Sequence, residues 1–540
     1  MHRLSCLFLA ASLLALGCGD DASEGPWDPV DAAVPDGAIA DAAIADVTGT
    51  ATITYVTANE QNSVPEDFST ADIEALVPGD DGAFTSYTGT GTAAGTFSIP
   101  GVPPGESFYV RVGQTYFFGD RRQLDLSYTT VGRADATYAE TSPTDAVFDI
   151  TAMDAWTTLD QLNFFAPAAD ATYTLLNADP ETGDPLLSAG ATALDLTVDY
   201  ASADSAGVID NTKGDVAYLV HLEGTVDEND VQTQTLSQLA TFSDIHQADG
   251  EATTFAGAFE DLAKDRRVAL DIRFSEFAGQ LAGDVADGFG DAAIIAQPGP
   301  ESIGAQFGAA ELVDVSPTAT NDDAMVTVDY GNPFPSTWSL YGDVFQLATV
   351  QLTTASGIDI SKALFAGQSD TLAAFTAGPI QPLVTPISAP TLDGQDATAA
   401  LSGLSLTPTL SWTAADGANG YLVTIYHVVA DTDSASAFRV ADIYTTATEI
   451  IVPPGVLTAG DEHFMVISAV AEPNTDLAAT PFADSFPSGY VDVITALFVV
   501  GDAAPALAPI AHRAPATTAP PPRFDRYRLR ALAGQRRPHY

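Results

Sequence analysis

At 540 residues, with 46% hydrophobic and 9% aromatic side chains, the chain has material for about three or four domains with sizeable cores. Seventy-two acidic residues against 19 basic ones give a formal charge of −53, with Lys213, Lys264 and Lys362 the only lysines. Such a surface repels nucleic acid and anionic lipid, which argues against phosphate-binding roles, and it keeps the chain soluble where salt screens self-repulsion. Calcium binding through carboxylates is the functional alternative, but no Asp-x-Asp-x-Asp-Gly ladder occurs.

The first eighteen residues read as a removable export signal. Arg3 gives a positive start, Leu4 to Leu16 is an apolar run, and Ala15-Leu16-Gly17-Cys18 closes it with small residues before a cysteine. A run of this length is too short for a bilayer core of about 30 Å, which needs about 20 residues of helix. The ending resembles the lipobox of bacterial lipoproteins, although Ala15 stands where that family more often has Leu. The resemblance implies acylation of Cys18, which becomes the first residue of a lipid-anchored cell-envelope protein. Gly19 rather than Asp after the cysteine implies the outer membrane. The alternative is an ordinary secretory signal cut after Ala15 or Gly17. Cys6 leaves with the signal, so the mature chain has at most one cysteine, which excludes an intrachain disulfide, a thiolate zinc cluster and cysteine–histidine catalysis away from the anchor. Residues 18–46, with Asp31-Ala32-Ala33 and Asp41-Ala42-Ala43, have no apolar stripe and read as a disordered tether.

Residues 47–118 turn to strand-forming composition: Ala51 to Thr57, Thr96 to Ile99 and Phe108 to Val112 are rich in β-branched and aromatic residues. Between the last two, Pro100-Gly101-Val102-Pro103-Pro104-Gly105 forces a turn. The phrase from Gly95 to Gly105 resembles the carboxypeptidase-regulatory-like (prealbumin-like) β-sandwich, in which such a hairpin recurs. Gly89-x-Gly91-x-x-x-Gly95 has no helix signal or lysine after it and reads as a turn rather than a phosphate loop.

Residues 119–386 form a β-rich middle domain of unknown type, with strand-like runs at Val216 to Leu222, Leu236 to Phe242, Thr253 to Phe259, Met325 to Tyr330 and Phe345 to Leu352. One amphipathic helix is predicted, because Phe274, Phe277, Ala278, Leu281 and Val285 share helical spacing and Gly288 can stop it. The acidic stretch Asp284 to Asp291 then reads as a helix end and solvated turn, with a calcium loop as the alternative.

Over residues 388–500, Leu410-Ser411-Trp412, then Tyr421 to Tyr426, then Leu457 to Ala469 look like a fibronectin type III domain. That resemblance implies that Trp412 fills the core between two sheets, and that Met465, Ile467 and Ala469 alternate onto one inner face. His463 stands where the family usually carries a corner tyrosine, and its imidazole is expected to hydrogen-bond to the preceding loop. The stretch Glu472 to Ser488 is longer than a usual hairpin loop, and such loops carry binding sites. Residues 503–540 invert the composition, with seven arginines from Arg513 to Arg537 against Asp525 and the run Pro520-Pro521-Pro522. They read as a disordered basic tail or as a frameshift product.

No Gly-x-Ser-x-Gly, His-Glu-x-x-His or Walker motif occurs, so no catalytic, cofactor or metal residue is assigned. His221-x-Glu223 and Asp244-x-His246 would place two ligand types on one side of each strand, a set suited to zinc, iron or manganese if the strands met; solvated edge residues are the plainer reading. The expected fold is mostly β and multidomain: tandem β-sandwiches flank a larger β-rich middle domain with one or a few helices. The expected function is binding, adhesion or display at the cell envelope. Its partners are the membrane through Cys18 and envelope proteins or polysaccharide, without nucleic acid. The alternative is an envelope hydrolase acting on polysaccharide.

Overall fold

A computed structural model describes residues 45–501 except 80–81, 176–186, 204, 283, 300–309, 318–321, 431–433 and 484. These residues belong to one compact unit that begins at Ala45. Cys18, most of the Asp/Ala tether and the basic tail lie outside the described residues. The architecture is mostly β and sandwich-like, with several sheets and, among the described residues, the two short α-helices Phe274–Ala278 and Leu372–Phe375.

The C-terminal part builds a two-sheet sandwich from strands whose alternation is plain in the sequence. Ser388–Leu392, Thr409–Thr413 and Glu449–Ile451 pair in one sheet. The other runs Ala435–Thr445, Gly420–Ala430, Glu462–Ala471 and Ser488–Ile494, all antiparallel. Trp412 is buried from the first sheet, its ring edge-on to Tyr421 of the second at 5.2 Å. Met465, Ile467 and Ala469 are buried as expected, and so are the residues between them: His463 to Ala471 are all buried, because the strand lies inside a sheet covered on both faces.

The strands of residues 47–125 divide among three sheets. Thr96–Ile99 pairs with Val47–Thr50, whereas Phe108–Val112 pairs with Ile73–Pro78 and Thr115–Gly119. The two segments expected to form a hairpin therefore lie in different sheets. The intervening turn, with Gly101 at φ +79 and Gly105 at φ +80, carries the chain across the sandwich. Stacking rather than edge pairing lets Phe97, Ile99, Val102, Phe108 and Val110 bury in one core.

In the middle, the long strands Asp284–Pro298, Trp338–Thr353 and Asp359–Thr371 are paired antiparallel. Apolar runs such as Ala292 to Ala296 leave no polar side because both faces are covered. On one face the helices press aromatic rings onto glycines: a Cβ at Gly342 would lie 2.0 Å from the Phe375 ring, and one at Gly290 would lie 2.6 Å from Phe274. On the other, Phe486 packs on Tyr341 at 5.7 Å and Phe289 on Phe345 at 5.3 Å.

The predicted helix through Val285 is corrected as well. Phe274, Phe277, Ala278 and Leu281 are buried, as the spacing demanded, but the helix ends at Ala278 and a strand begins at Asp284. From there the backbone finds partners in Ala310–Pro317 and Trp338–Thr353, which a longer helix would forfeit. Asp284 to Asp291 is accordingly strand, not a helix end and turn.

These pieces join through hydrogen bonds between distant segments. Asp359–Thr371 pairs with Ser488–Ile494, and Ala435–Thr445 pairs in parallel with Thr115–Gly119 through Asp442↔Thr115 to Thr445↔Phe118.

Candidate binding cleft

The structure separates the four residues of the possible metal set. The bulge opposite His221 and Leu222 places its extra residue, Ser237, on the partner strand, so His221 and Glu223 keep their alternation but sit at different depths. His221 is 1% exposed, whereas Glu223 points to solvent and accepts from Lys264 Nζ at 3.0 Å. His246 lies outside the regular strands, exposed, 3.2 Å from Asp210. Asp244 is also exposed and accepts from Asn211 at 3.4 Å. Among the described residues, no group of three or more His, Cys, Asp or Glu side chains is placed to hold a metal ion.

His463 does corner work. Its Nδ1 lies 3.1 Å from the Asp461 carbonyl, and its Nε2 accepts the Thr458 N–H at 3.4 Å, so the ring ties down the loop that precedes its strand. Nδ1 must carry the proton in this arrangement. Burial, with help from the neighbouring His427, pushes its pKa down to about 4. His427 itself lies 3.0 Å from the Asp461 carboxylate.

The long 472–488 connection folds inward rather than waving in solvent. Asn419 Nδ2 donates to the carbonyls of Glu472 and Thr475, and Asn474 Nδ2 donates to that of Phe486. Phe482 packs edge-on against Phe117 at 5.5 Å and Tyr444 at 5.2 Å. The Ala479 carbonyl accepts the Asp125 N–H at 2.8 Å, tying the connection to the N-terminal sandwich.

Where these segments meet, a shallow open cleft with room for about 40 Å3 of solvent is lined by Phe108, Phe117, Phe118, Tyr444 and Leu477, with Asp120, Arg121, Thr445, Thr446, Ala478 and Pro481 among its other walls. Arg121 spans to Asp476 at 3.2 Å, but both side chains are more than half exposed, so the bridge contributes at most about 1 kcal/mol and can open for a ligand. Phe108, Phe117 and Tyr444 are buried beneath the cleft, so the open wall is formed by the half-buried Phe118, Leu477 and Ala478, the exposed Thr446 and one exchangeable ion pair. The sequence pointed to 472–488 but not to Phe117, Phe118, Arg121 or Tyr444. They reach the cleft through the parallel pairing of Thr115–Gly119 with Ala435–Thr445, which leaves no local signal.

A second, polar cleft of about 100 Å3 involves Tyr55, Thr57, Glu60, Asn62 and residues 132–135. Its Arg133 is consumed internally: Nε donates to Asp215 at 3.1 Å, one terminal nitrogen to Asp135 at 2.8 Å and the other to the Val208 carbonyl at 3.0 Å. Hydrogen bonds from Lys213 and Arg133 lower the Asp135 carboxyl to about 2.

Several carboxylates are buried against hydroxyl donors. Asp343 accepts from Ser369 at 2.5 Å, Asp492 from Ser468 at 2.6 Å and Glu472 from Ser488 at 3.3 Å. No sequence motif marks them, since each pair is made across strands.

No protein-family model matches the chain, and no curated protein matches it. Among solved structures it is similar to the chicken CNTN1 FN1-FN3 domains at 10% identity, covering 64% of this chain and 91% of that chain, with a TM-score of 0.12. That score is too low to carry an argument, and the sandwich described above rests on its own strand pairing.

Proposed function

We propose that this chain is a lipid-anchored cell-envelope protein, held through Cys18, whose β-rich body binds or displays rather than catalyses. The observation that carries the reading is the cleft at 115–121, 444–446 and 477–481, where aromatic, hydroxyl and charged groups converge between two sandwiches. Its chemistry favours an envelope polysaccharide or an extended segment of an envelope protein. Fibronectin type III-like character over 388–500 and carboxypeptidase-regulatory-like character over 47–118 belong to the same proposal. So does the outer-membrane address, which rests on Gly17-Cys18-Gly19.

The test screens the full chain against glycan and envelope-extract arrays and against glycosidase and peptidase substrates. Saturable binding that weakens at least tenfold in Ala478→Trp, whose bulk fills the cleft, supports the assignment. Turnover that disappears on changing one carboxylate of residues 119–386 overturns it in favour of a hydrolase. For the anchor, palmitate labelling and detergent partitioning are expected to be lost in Cys18→Ala; a variant that partitions and labels like the parent sinks that part.

A further inference from the structure

The polar cleft at Tyr55, Glu60, Asn62 and residues 132–135 lies between two edges that are each held in place. One edge is the hairpin of Thr52–Val56 and Gln61–Pro65, in which Tyr55 lies directly opposite Asn62, so both side chains stand on the same face of the sheet. Its turn is fixed by Thr57, whose N–H donates to the Glu60 carbonyl at 2.9 Å and whose hydroxyl accepts the N–H groups of Asn59 at 3.3 Å and Glu60 at 3.2 Å. On the opposite face the Thr54 and Ser63 hydroxyls meet at 3.0 Å and hold the register. The second edge begins at Gly132, whose N–H donates to the Val56 carbonyl at 2.9 Å, and continues through Arg133, whose N–H donates to the Ala168 carbonyl at 2.8 Å.

Charge is balanced along this second edge. Asp135 is matched by Lys213 Nζ at 2.7 Å and by Arg133 at 2.8 Å, and Arg133 also meets Asp215 at 3.1 Å. Across the cleft, the Glu60 carboxylate and the Asn62 amide are exposed and have no side-chain partner among the described residues. One unmatched carboxylate is too few for a metal cation, which takes several oxygen ligands, and an anion would meet Glu60 in a chain of formal charge −53. A neutral polar ligand fits instead. A carboxylate that accepts, beside an amide that donates and accepts, matches two adjacent hydroxyls, while the half-buried Tyr55 ring offers an apolar wall. The cleft's 100 Å3 or so is the room of about three waters, which the hydroxyls and edge of one sugar ring would displace.

We propose that this cleft is a second glycan subsite taking one ring of a neutral saccharide: Glu60 and Asn62 hold two neighbouring hydroxyls, and Tyr55 packs against the C–H face of the ring. That the ligand is a saccharide rests on the binding role proposed above, whereas the cleft and its residues are distinct from those at 115–121, 444–446 and 477–481. Because both edges are already ordered by their own hydrogen bonds, the ring binds with little rearrangement.

The test titrates the full chain with methyl α-glucoside, methyl α-mannoside and methyl β-galactoside, with glucuronate and tetramethylammonium alongside. The readout is the nitrogen NMR signal of the Asn62 side-chain amide, which Asn62→Ala identifies by its loss. A saturable shift of that signal with at least one of the three neutral hexosides is expected, weakened at least tenfold in Glu60→Ala and in Tyr55→Ala. Glu60 is exposed, so Glu60→Ala decides if Tyr55→Ala does not fold. No shift with any hexoside overturns the inference, as does glucuronate or tetramethylammonium binding as tightly as the best hexoside. Ala478→Trp separates this cleft from the other. A hexoside that binds the parent with the Asn62 amide unmoved, and is lost in Ala478→Trp, sits in the other cleft; that outcome overturns this inference and leaves the binding role standing.

Discussion

His463 shows how one buried side chain gives the fold a pH dependence whose sign follows from its surroundings. Its ordinary value of 6.5 falls to about 4 in the fold, so the folded state holds the neutral ring while the unfolded chain binds a proton first. The stabilisation is therefore complete above about pH 6.5 and is lost as the pH falls towards 4, a contribution of about 3 kcal/mol. Urea unfolding at a series of pH values is expected to show a shallower acid slope between these limits for His463→Gln than for the parent. Equal slopes would show that the ring does not titrate as its burial requires. Trp412 acts through volume instead. It is 6% exposed, and Trp412→Ala is expected to lower stability by about 3–5 kcal/mol in thermal unfolding, whereas a shift under about 1 kcal/mol would mean that the pocket collapses around the loss.

At the scale of elements, the middle region depends on glycines that let helices sit directly on strands. Gly342 in Trp338–Thr353 receives the ring of Phe375, and there is no room for a methyl between them. Gly342→Ala is expected to cost about 1–3 kcal/mol through overpacking, with the loss of order confined to Leu372–Phe375 and its flanks. Hydrogen exchange reads this directly: amides of 372–380 should exchange faster in the variant, while those of Asp359–Thr371 stay protected. Unchanged exchange at 372–380 would mean that the strand, not the helix, gives way. The sequence predicted a helix beginning at Phe274 correctly and its end wrongly for a related reason. Helical spacing of apolar residues continues to Val285, but strand partners available only in the fold claim the backbone from Asp284 onward.

For the whole molecule, the contact to test is the one that ties the two ends of the described chain together. Phe117 stacks on Tyr444 at 5.6 Å and 24°, next to the parallel ladder between Thr115–Gly119 and Ala435–Thr445. Phe117→Ala is expected to cost about 3–5 kcal/mol, and a double-mutant cycle with Tyr444→Ala should show a coupling of about 0.5–1.5 kcal/mol. Additive losses would mean that the stack contributes only buried area. Because both residues line the cleft, the single variants should also change ligand binding, whereas Trp412→Ala, placed elsewhere, should not.

The sequence by itself determined the β class and the positions of most strands, through alternation and turn residues that act within a few residues, while the burial of Trp412 and the corner role of His463 were implied by the likeness of residues 388–500 to a fibronectin type III domain. Only the tertiary structure decided which strands pair, that Glu462–Ala471 is covered on both faces, that Thr96–Ile99 and Phe108–Val112 part into different sheets, and that His221 and His246 never meet. Strand partners are chosen by the area that stacking buries between segments hundreds of residues apart, and that free energy leaves no trace in the local pattern of either segment.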